Sequence, residues 1–133
     1  MSFTVSTSPS EDAQTIRNLL QANLLAVFNE RDATARLAAI KTTYTDDIVW
    51  YEDDRVNVGH AVLDARAAEL LAESPEFVFQ PDGSEVVARN LGVLNWQFGP
   101  TGTPDLIKGT DVILVEGGKV KALWTAVTKV PGP

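Results

Sequence analysis

The sequence predicts an α+β domain in which a curved, mainly antiparallel sheet wraps a long N-terminal helix, with two further helices and a pocket between the layers. Two observations lead to this prediction. Helical periodicity is confined to the part of the chain before Pro75, and everything after it has the alternation and turn residues of strands. In addition, the first helix carries its apolar residues on one face, which a sheet can cover.

The first helix is predicted from a capping-box pattern at Ser8–Glu11 and extends to about Arg31. Its apolar residues recur at three- and four-residue steps, with Asn23 as the polar exception. This core face comprises Ile16, Leu19, Leu20, Leu24, Val27 and Phe28. Asp32 is predicted to cap a second helix that ends near Thr43. Residues 1–8 precede the first cap and are expected to be flexible.

A strand over Ile48–Glu52 follows a predicted turn at Thr45–Asp47, because the strand segment is dense in β-branched and aromatic residues. The two-residue period of a strand places Trp50 and Glu52 on the same face. The segment Arg55–Val58 is predicted to return as a short partner strand. After Gly59 the alanine- and leucine-rich segment 60–71 predicts the third helix.

Five strands are predicted after Pro75, separated by turns rich in glycine and proline. They are Phe77–Phe79, Ser84–Asn90, Leu91–Phe98, Leu106–Val115 and Lys119–Val130. The last two flank the turn Glu116–Gly118, where glycine adopts positive φ without steric cost, so together they predict a long hairpin.

Asp111 lies inside this hairpin, although aspartate is disfavoured in strands. It shares a face with Ile113 and Val115. If that face lines the pocket, apolar surroundings raise the pKa of Asp111 and allow it to donate a proton near neutral pH. The alternative is an exposed Asp111 that is hydrogen-bonded to Thr110 or paired with Lys108.

The opposite face of the same strand carries Val112 and Leu114. In a monomer these side chains would be exposed apolar surface. We therefore expect a homodimer formed through the outer face of the sheet.

The composition restricts the possible function. At 133 residues the chain forms one domain, residues 1–133, and its net charge of -7 disfavours nucleic acid and membrane surfaces as partners. It has no cysteine and a single histidine, so neither disulfides nor zinc are expected. Because the first residues lack the basic and apolar regions of a signal peptide, we expect a cytoplasmic protein.

Three stretches of the chain resemble the nuclear transport factor 2-like superfamily, and within it the SnoaL-like polyketide cyclases and the ketosteroid isomerases. They are Phe28–Asp32 at the end of the first helix, Tyr44–Glu52 leading into the first strand, and the hairpin with Gly109–Asp111 and Gly117–Val120. Together they span nearly the whole chain. The resemblance implies a cone-shaped α+β domain and a small-molecule enzyme that needs no cofactor and no metal.

The resemblance also implies roles for individual residues. Glu52 falls where the isomerases carry their carboxylate base. Asp111 falls where the isomerases carry a protonated aspartic acid in the oxyanion hole, and where the cyclases carry an acid–base aspartate. Leu24 replaces the isomerases' oxyanion tyrosine, which argues against steroid isomerisation.

The sequence therefore predicts Asp111 and Glu52 as the catalytic pair, acting on an apolar, ring-containing metabolite by isomerisation, cyclisation or elimination. The residues predicted to contact this substrate are Trp50, Leu24, Phe28, Trp96, Ile113 and His60. Of these, His60 also fits a simple contact at the start of its helix.

Two alternatives remain open. The first is a non-catalytic ligand-binding or dimerisation module, because one fold serves many functions. The second is an epoxide hydrolase, which in this superfamily uses an arginine between two carboxylates. Arg89 and Arg66 are the candidates for that arginine.

Overall fold

The structure, a computed structural model, describes residues 11–132, and five of its seven strands follow the last helix, whereas two strands precede it, as predicted. Helix α1 (Ala13–Gln21) continues directly into a π-helix (Ala22–Phe28), and α2 (Ala33–Thr43) and α3 (His60–Glu73) follow. The strands are β1 (Tyr44–Tyr51), β2 (Val56–Val58), β3 (Val78–Pro81), β4 (Val86–Ala88), β5 (Leu91–Gly99), β6 (Ile107–Glu116) and β7 (Lys119–Lys129).

The start of α1 differs from the prediction. Its N-cap is Asp12, whose carboxylate accepts a hydrogen bond from the backbone N–H of Thr15. Aspartate is among the best N-cap residues, so the helix begins immediately after Asp12. The segment 1–8, expected to be flexible, and most of the predicted capping box lie outside the described residues.

The predicted turn at Thr45–Asp47 is also wrong, because these residues belong to β1. Strand β1 begins beside β7, with Tyr44 opposite Val120, and an irregularity between Tyr44 and Val49 accommodates the exposed acidic residues. The caps and lengths of α2 and α3 agree with the sequence prediction to within two residues.

The sheet is curved and open, with the order β2-β1-β7-β6-β5-β3 and with β4 paired to β5. All neighbours are antiparallel except β1 and β7, which run parallel. The hairpin β6–β7 turns at Gly117 and Gly118, both with positive φ, as predicted.

The concave face of the sheet packs on α1 and the π-helix. The predicted helix face is buried throughout, from Ile16 to Phe28. On the sheet side, alternate residues of β5 and β6 point inward, among them Leu94, Trp96, Asp111 and Ile113. The fold therefore presents Asp111 to the space between helix and sheet, on the same face as Ile113, which the strand period predicts; the exposed alternative for Asp111 is wrong.

Candidate functional site

A cavity of about 290 Å³ opens between the π-helix, α3 and the concave face of the sheet. Its walls are mainly apolar and aromatic, formed by Leu24, Phe28, Trp50, Phe79, Trp96 and Phe98. Its polar lining includes Asp111 and Thr125 from the hairpin and Glu52 and Arg66 near α3. Such a cavity, apolar with a few convergent polar groups, has the composition of a small-molecule site.

Asp111 is only 5% exposed and accepts three side-chain hydrogen bonds. Its Oδ1 accepts from Trp96 Nε1 at 3.0 Å and from Thr125 Oγ1 at 2.9 Å. Its Oδ2 accepts from Asn23 Nδ2 at 2.9 Å. A carboxylate offers about four acceptor positions, so Oδ2 retains room for one more donor.

Burial raises the pKa of Asp111 from its ordinary 3.8 to about 6, although the hydrogen bonds from Thr125, Trp96 and Asn23 each lower it. Within residues 11–132, no lysine or arginine forms an ion pair with this carboxylate. At neutral pH Asp111 is therefore mostly ionised, in contrast to the proton donor considered from the sequence.

Asn23, the polar exception on the helix face, lies at the base of this network. The π-helix that contains it has the longer i to i−5 hydrogen bond, seen from Asn29 N–H to Leu24 O. Such segments recur at functional sites in proteins. Here the segment places Asn23 under Asp111 and also directs Leu24 and Phe28 into the cavity wall.

Tyr44 fixes the orientation of the Asn23 amide, because its hydroxyl donates a hydrogen bond to Asn23 Oδ1. That bond leaves the amide NH₂ directed at Asp111. Burial, and then the negative charge of Asp111, raises the pKa of Tyr44 well above its ordinary 10.0. The hydroxyl therefore stays protonated and remains a donor.

On the sheet side, Trp96 faces inward, as predicted, and its indole ring lies over its cross-strand partner Gly109. A Cβ at Gly109 would lie 2.2 Å from Trp96 Cζ2, so only glycine leaves room for the indole ring. Thr125 completes this side, since it accepts from Trp50 Nε1 at 3.0 Å and donates to Asp111.

Glu52 also lines the cavity, but its contacts differ from those of Asp111. Its two oxygens accept from Arg66 Nε at 2.9 Å and from Arg66 Nη2 at 3.1 Å, a bidentate pair. Asn57 Nδ2 donates to the same carboxylate at 3.0 Å. Glu52 is thus on the predicted face, but its geometry suits holding Arg66 better than taking a proton.

Four of the six predicted contact residues line the cavity, namely Trp50, Leu24, Phe28 and Trp96. Ile113 and His60 do not, which corrects the prediction. Ile113 faces inward but lies under α1, where Gly92 lets it pack closely with Ile16 and Leu20. His60 Nε2 lies 3.1 Å and 2.9 Å from the carbonyl oxygens of Tyr44 and Thr45, so it ties α3 to β1.

Arg89 is not among the cavity residues either; it follows β4 with a φ of 56°. The arginine that does reach the cavity, Arg66, contacts Glu52 and the exposed Glu69 rather than Asp111. Within the described part of the chain, the arrangement of one arginine between two inward carboxylates, which epoxide hydrolysis would need, is therefore not formed. Among residues 11–132, no group of three or more histidine, cysteine or acidic side chains is placed to hold a metal ion.

The sequence pattern of the SnoaL-like domain matches residues 22–123, which include the π-helix, Glu52, Arg66 and Asp111. The chain belongs to the SnoaL-like family. No curated protein matches the sequence significantly. In the part of this SnoaL-like chain that the structure describes, no helix combines the length and apolar character needed to cross a bilayer.

Solved structures agree with this assignment of fold. A proposed SnoaL-like isomerase from Agrobacterium tumefaciens superposes with a TM-score of 0.80 at 17% identity, covering 86% of this chain and 98% of that one. A proposed polyketide cyclase from Sinorhizobium meliloti gives 0.67 at 11% identity, with coverages of 86% and 99%. A proposed ketosteroid isomerase from Kribbella flavida gives 0.64 at 12% identity, with coverages of 90% and 82%.

Proposed function

We propose that this SnoaL-like protein catalyses a cofactor-independent proton transfer on an apolar, ring-containing small molecule, with Asp111 as the base. The observation that carries this proposal is a buried carboxylate at the wall of an aromatic cavity, held by three donors and without a basic partner among residues 11–132. A buried carboxylate with a purely structural role is usually paired with a cationic side chain. A catalytic base without such a partner is more basic and can accept a proton from the substrate.

In the proposed step, Asp111 takes a proton from a carbon next to a carbonyl group of the substrate. The C–H bond breaks, an O–H bond forms on the carboxylate, and the electron pair moves onto the carbonyl oxygen to give an enolate. Return of the same proton to another carbon completes an isomerisation. Attack of the enolate carbon on a second carbonyl, or loss of a leaving group, would give cyclisation or elimination instead.

The pKa of about 6 suits this role, because the carboxylate is mostly ionised at neutral pH and yet retains appreciable basicity. The hydrogen bonds from Asn23, Trp96 and Thr125 fix its position before the substrate arrives. A preorganised base needs little rearrangement in the transition state. In this proposal Glu52, predicted from the sequence as the second catalytic carboxylate, has a positioning role.

A non-catalytic binding module remains the rival proposal. The cavity favours the enzyme, because a module that only dimerises has no need of about 290 Å³ of lined space with an ionisable group in its wall. A ligand-binding module would have the cavity but no proton transfer, so catalysis itself is the discriminating measurement.

Deuterium exchange tests the proposal without knowledge of the natural substrate. The protein is incubated in D₂O with 2-tetralone and related bicyclic ketones, and label at the carbon next to the carbonyl is followed by NMR. We expect exchange faster than in buffer, rising with pH through about 6 and then levelling off. Asp111→Asn should lower the rate by roughly 10²–10⁴-fold.

Asp47→Asn is the matched control, because it makes the same chemical change at an exposed position of β1. It should leave the rate unchanged. The proposal fails if Asp111→Asn exchanges as fast as the wild type, or if no ketone of the panel exchanges faster than in buffer.

A further inference from the structure

Arg66 is the one arginine that lines the cavity within residues 11–132, and its surroundings hold it in a fixed place. Its side chain is 13% exposed. Glu52 accepts hydrogen bonds from Nε and Nη2 along one edge of the guanidinium, and Glu69 accepts one from Nη1 at 2.6 Å. A guanidinium that is pinned by two carboxylates loses little further freedom when it binds a ligand.

The hydrogen bonds to Glu52 and Glu69 do not use all of the N–H donors of Arg66. A guanidinium carries five N–H bonds, and the hydrogen bonds to Glu52 and Glu69 use three of them. Two N–H bonds, shared between Nη1 and Nη2, therefore remain on a group in the cavity wall. Donors on a side chain that is mostly shielded from solvent are normally satisfied by water or by another acceptor, so an oxygen of a bound molecule can take the place of water there.

The charges around Arg66 determine whether the oxygen that it binds is charged or uncharged. Arg66 is influenced by the negative charges of Glu52, Glu69 and Glu73, and Arg55 lies 3.8 Å from both Glu52 and Glu69. Two positive groups thus face four negative ones, since Asp54 also lies 3.7 Å from Arg55. A ligand carboxylate would meet no net positive charge, whereas an uncharged carbonyl or hydroxyl oxygen can accept from Arg66 without electrostatic penalty.

We propose that Arg66 binds an uncharged oxygen of the substrate, a ketone or hydroxyl oxygen on an apolar ring system, and that Glu52 is the residue that positions Arg66. This inference rests on the proposed function, in which Asp111 removes a proton from the carbon next to that oxygen. Arg66 orients the substrate for this step through a hydrogen bond to the oxygen.

Binding of three probes with one ring system tests the inference: 2-tetralone, tetralin and tetralin-2-carboxylate. Trp50 and Trp96 line the cavity, so their fluorescence reports binding directly. We expect the wild type to bind the ketone at least about tenfold more tightly than the hydrocarbon, since a hydrogen bond to a charged donor is worth that much. The carboxylate should bind more weakly than the ketone.

The double variant Glu52→Gln/Arg66→Met removes both partners, which avoids leaving a lone buried charge. It should bind ketone and hydrocarbon equally, with hydrocarbon affinity within twofold of the wild type. Arg66→Lys keeps the charge but loses the planar fork, and should lose most of the ketone preference. Arg17→Met, at an arginine of α1 that does not line the cavity, is the control and should keep the preference.

Three outcomes would overturn the inference: no ketone preference in the wild type, a preference that persists in both Arg66 variants, or tightest binding of the carboxylate. The test is separable from that of the proposed function. Asp111→Asn should abolish deuterium exchange and retain the ketone preference. Exchange that survives in Asp111→Asn, with an Arg66-dependent preference intact, would refute only the function of Asp111.

Discussion

Replacing Asp111 by asparagine should change how the stability of the protein depends on pH. In the native state Asp111 keeps its proton up to about pH 6, whereas in the unfolded chain it loses it near its ordinary pKa of 3.8. Between these values the native state binds more protons than the unfolded state. The free energy of unfolding therefore falls as pH rises through this window, and it stays lower above it.

The size of the effect follows from the same pKa difference. At about 1.4 kcal/mol for each pKa unit, ionising Asp111 in its buried position costs the native state about 3 kcal/mol. Because the sequence pI is about 4.5, solubility favours starting the measurement at pH 5. Roughly half of the loss, on the order of 1–2 kcal/mol, falls between pH 5 and pH 8.

Urea unfolding followed by circular dichroism measures this directly for wild type, Asp111→Asn and the exposed control Asp47→Asn. The other carboxylates contribute equally to all three proteins, so the difference between wild type and variant isolates Asp111. We expect the wild type to lose roughly 1–2 kcal/mol relative to Asp111→Asn from pH 5 to pH 8, and Asp47→Asn to follow the wild type. Parallel curves for wild type and Asp111→Asn would refute the argument that burial controls this carboxylate.

Two further predictions concern the two faces of the sheet. Gly109→Ala should destabilise the protein by about 1–3 kcal/mol, because the new Cβ overlaps Trp96. Gly109→Ala should also raise the pKa of Asp111, measured in carboxyl NMR spectra, because it weakens the hydrogen bond from Trp96. Gly102→Ala, whose new Cβ would meet nothing within 4 Å, is the control. Equal effects of the two substitutions would contradict the prediction. On the outer face, Trp124→Glu should convert a dimer of twice 14.4 kDa into a monomer, as measured by light scattering. The control Val62→Glu on α3 should leave the dimer intact. A monomeric wild type at micromolar concentration would refute the expected homodimer.

The basis for the dimer prediction is the set of apolar side chains exposed on the convex face. It comprises Tyr51, Val56, Val58, Leu91, Leu114 and Trp124. Tyr51 and Trp124 stack on neighbouring strands, with ring centroids 5.2 Å apart. Leu114 is 37% exposed, as the strand period predicts. A continuous apolar face of this kind fits a second copy of the same surface, related by a twofold axis.

The sequence was sufficient to predict the faces of helices and strands. Periodicity predicts the buried side chains of α1, and it groups Asp111 with Ile113 and Val115 on one face; the resemblance to the family was needed to choose that face as the pocket side. Periodicity does not give the position along a strand. Ile113 shares the face of Asp111 but lies under α1, so it became core rather than cavity wall.

The contacts that define the site could not be predicted, because they join distant parts of the chain. Asn23 was visible as a polar residue on an apolar face, but its partner Asp111 lies 88 residues away. Likewise, Glu52 was placed on the correct face, while the bidentate contact with Arg66 depends on how α3 docks against β1. The expected cytoplasmic location stays a prediction.

The parallel pairing of β1 with β7 has a consequence for folding. The hydrogen bond from Trp50 to Thr125 joins residues 75 positions apart, and it forms only after the last described strand has been synthesised. Contacts of such long sequence separation slow folding, because the chain must lose loop entropy before they are made. On the ribosome, the edge of β1 that pairs with β7 would therefore stay unpaired until β7 has been synthesised. Exposed Asp46 and Asp47 on β1 then serve as charges that discourage aggregation until β7 arrives.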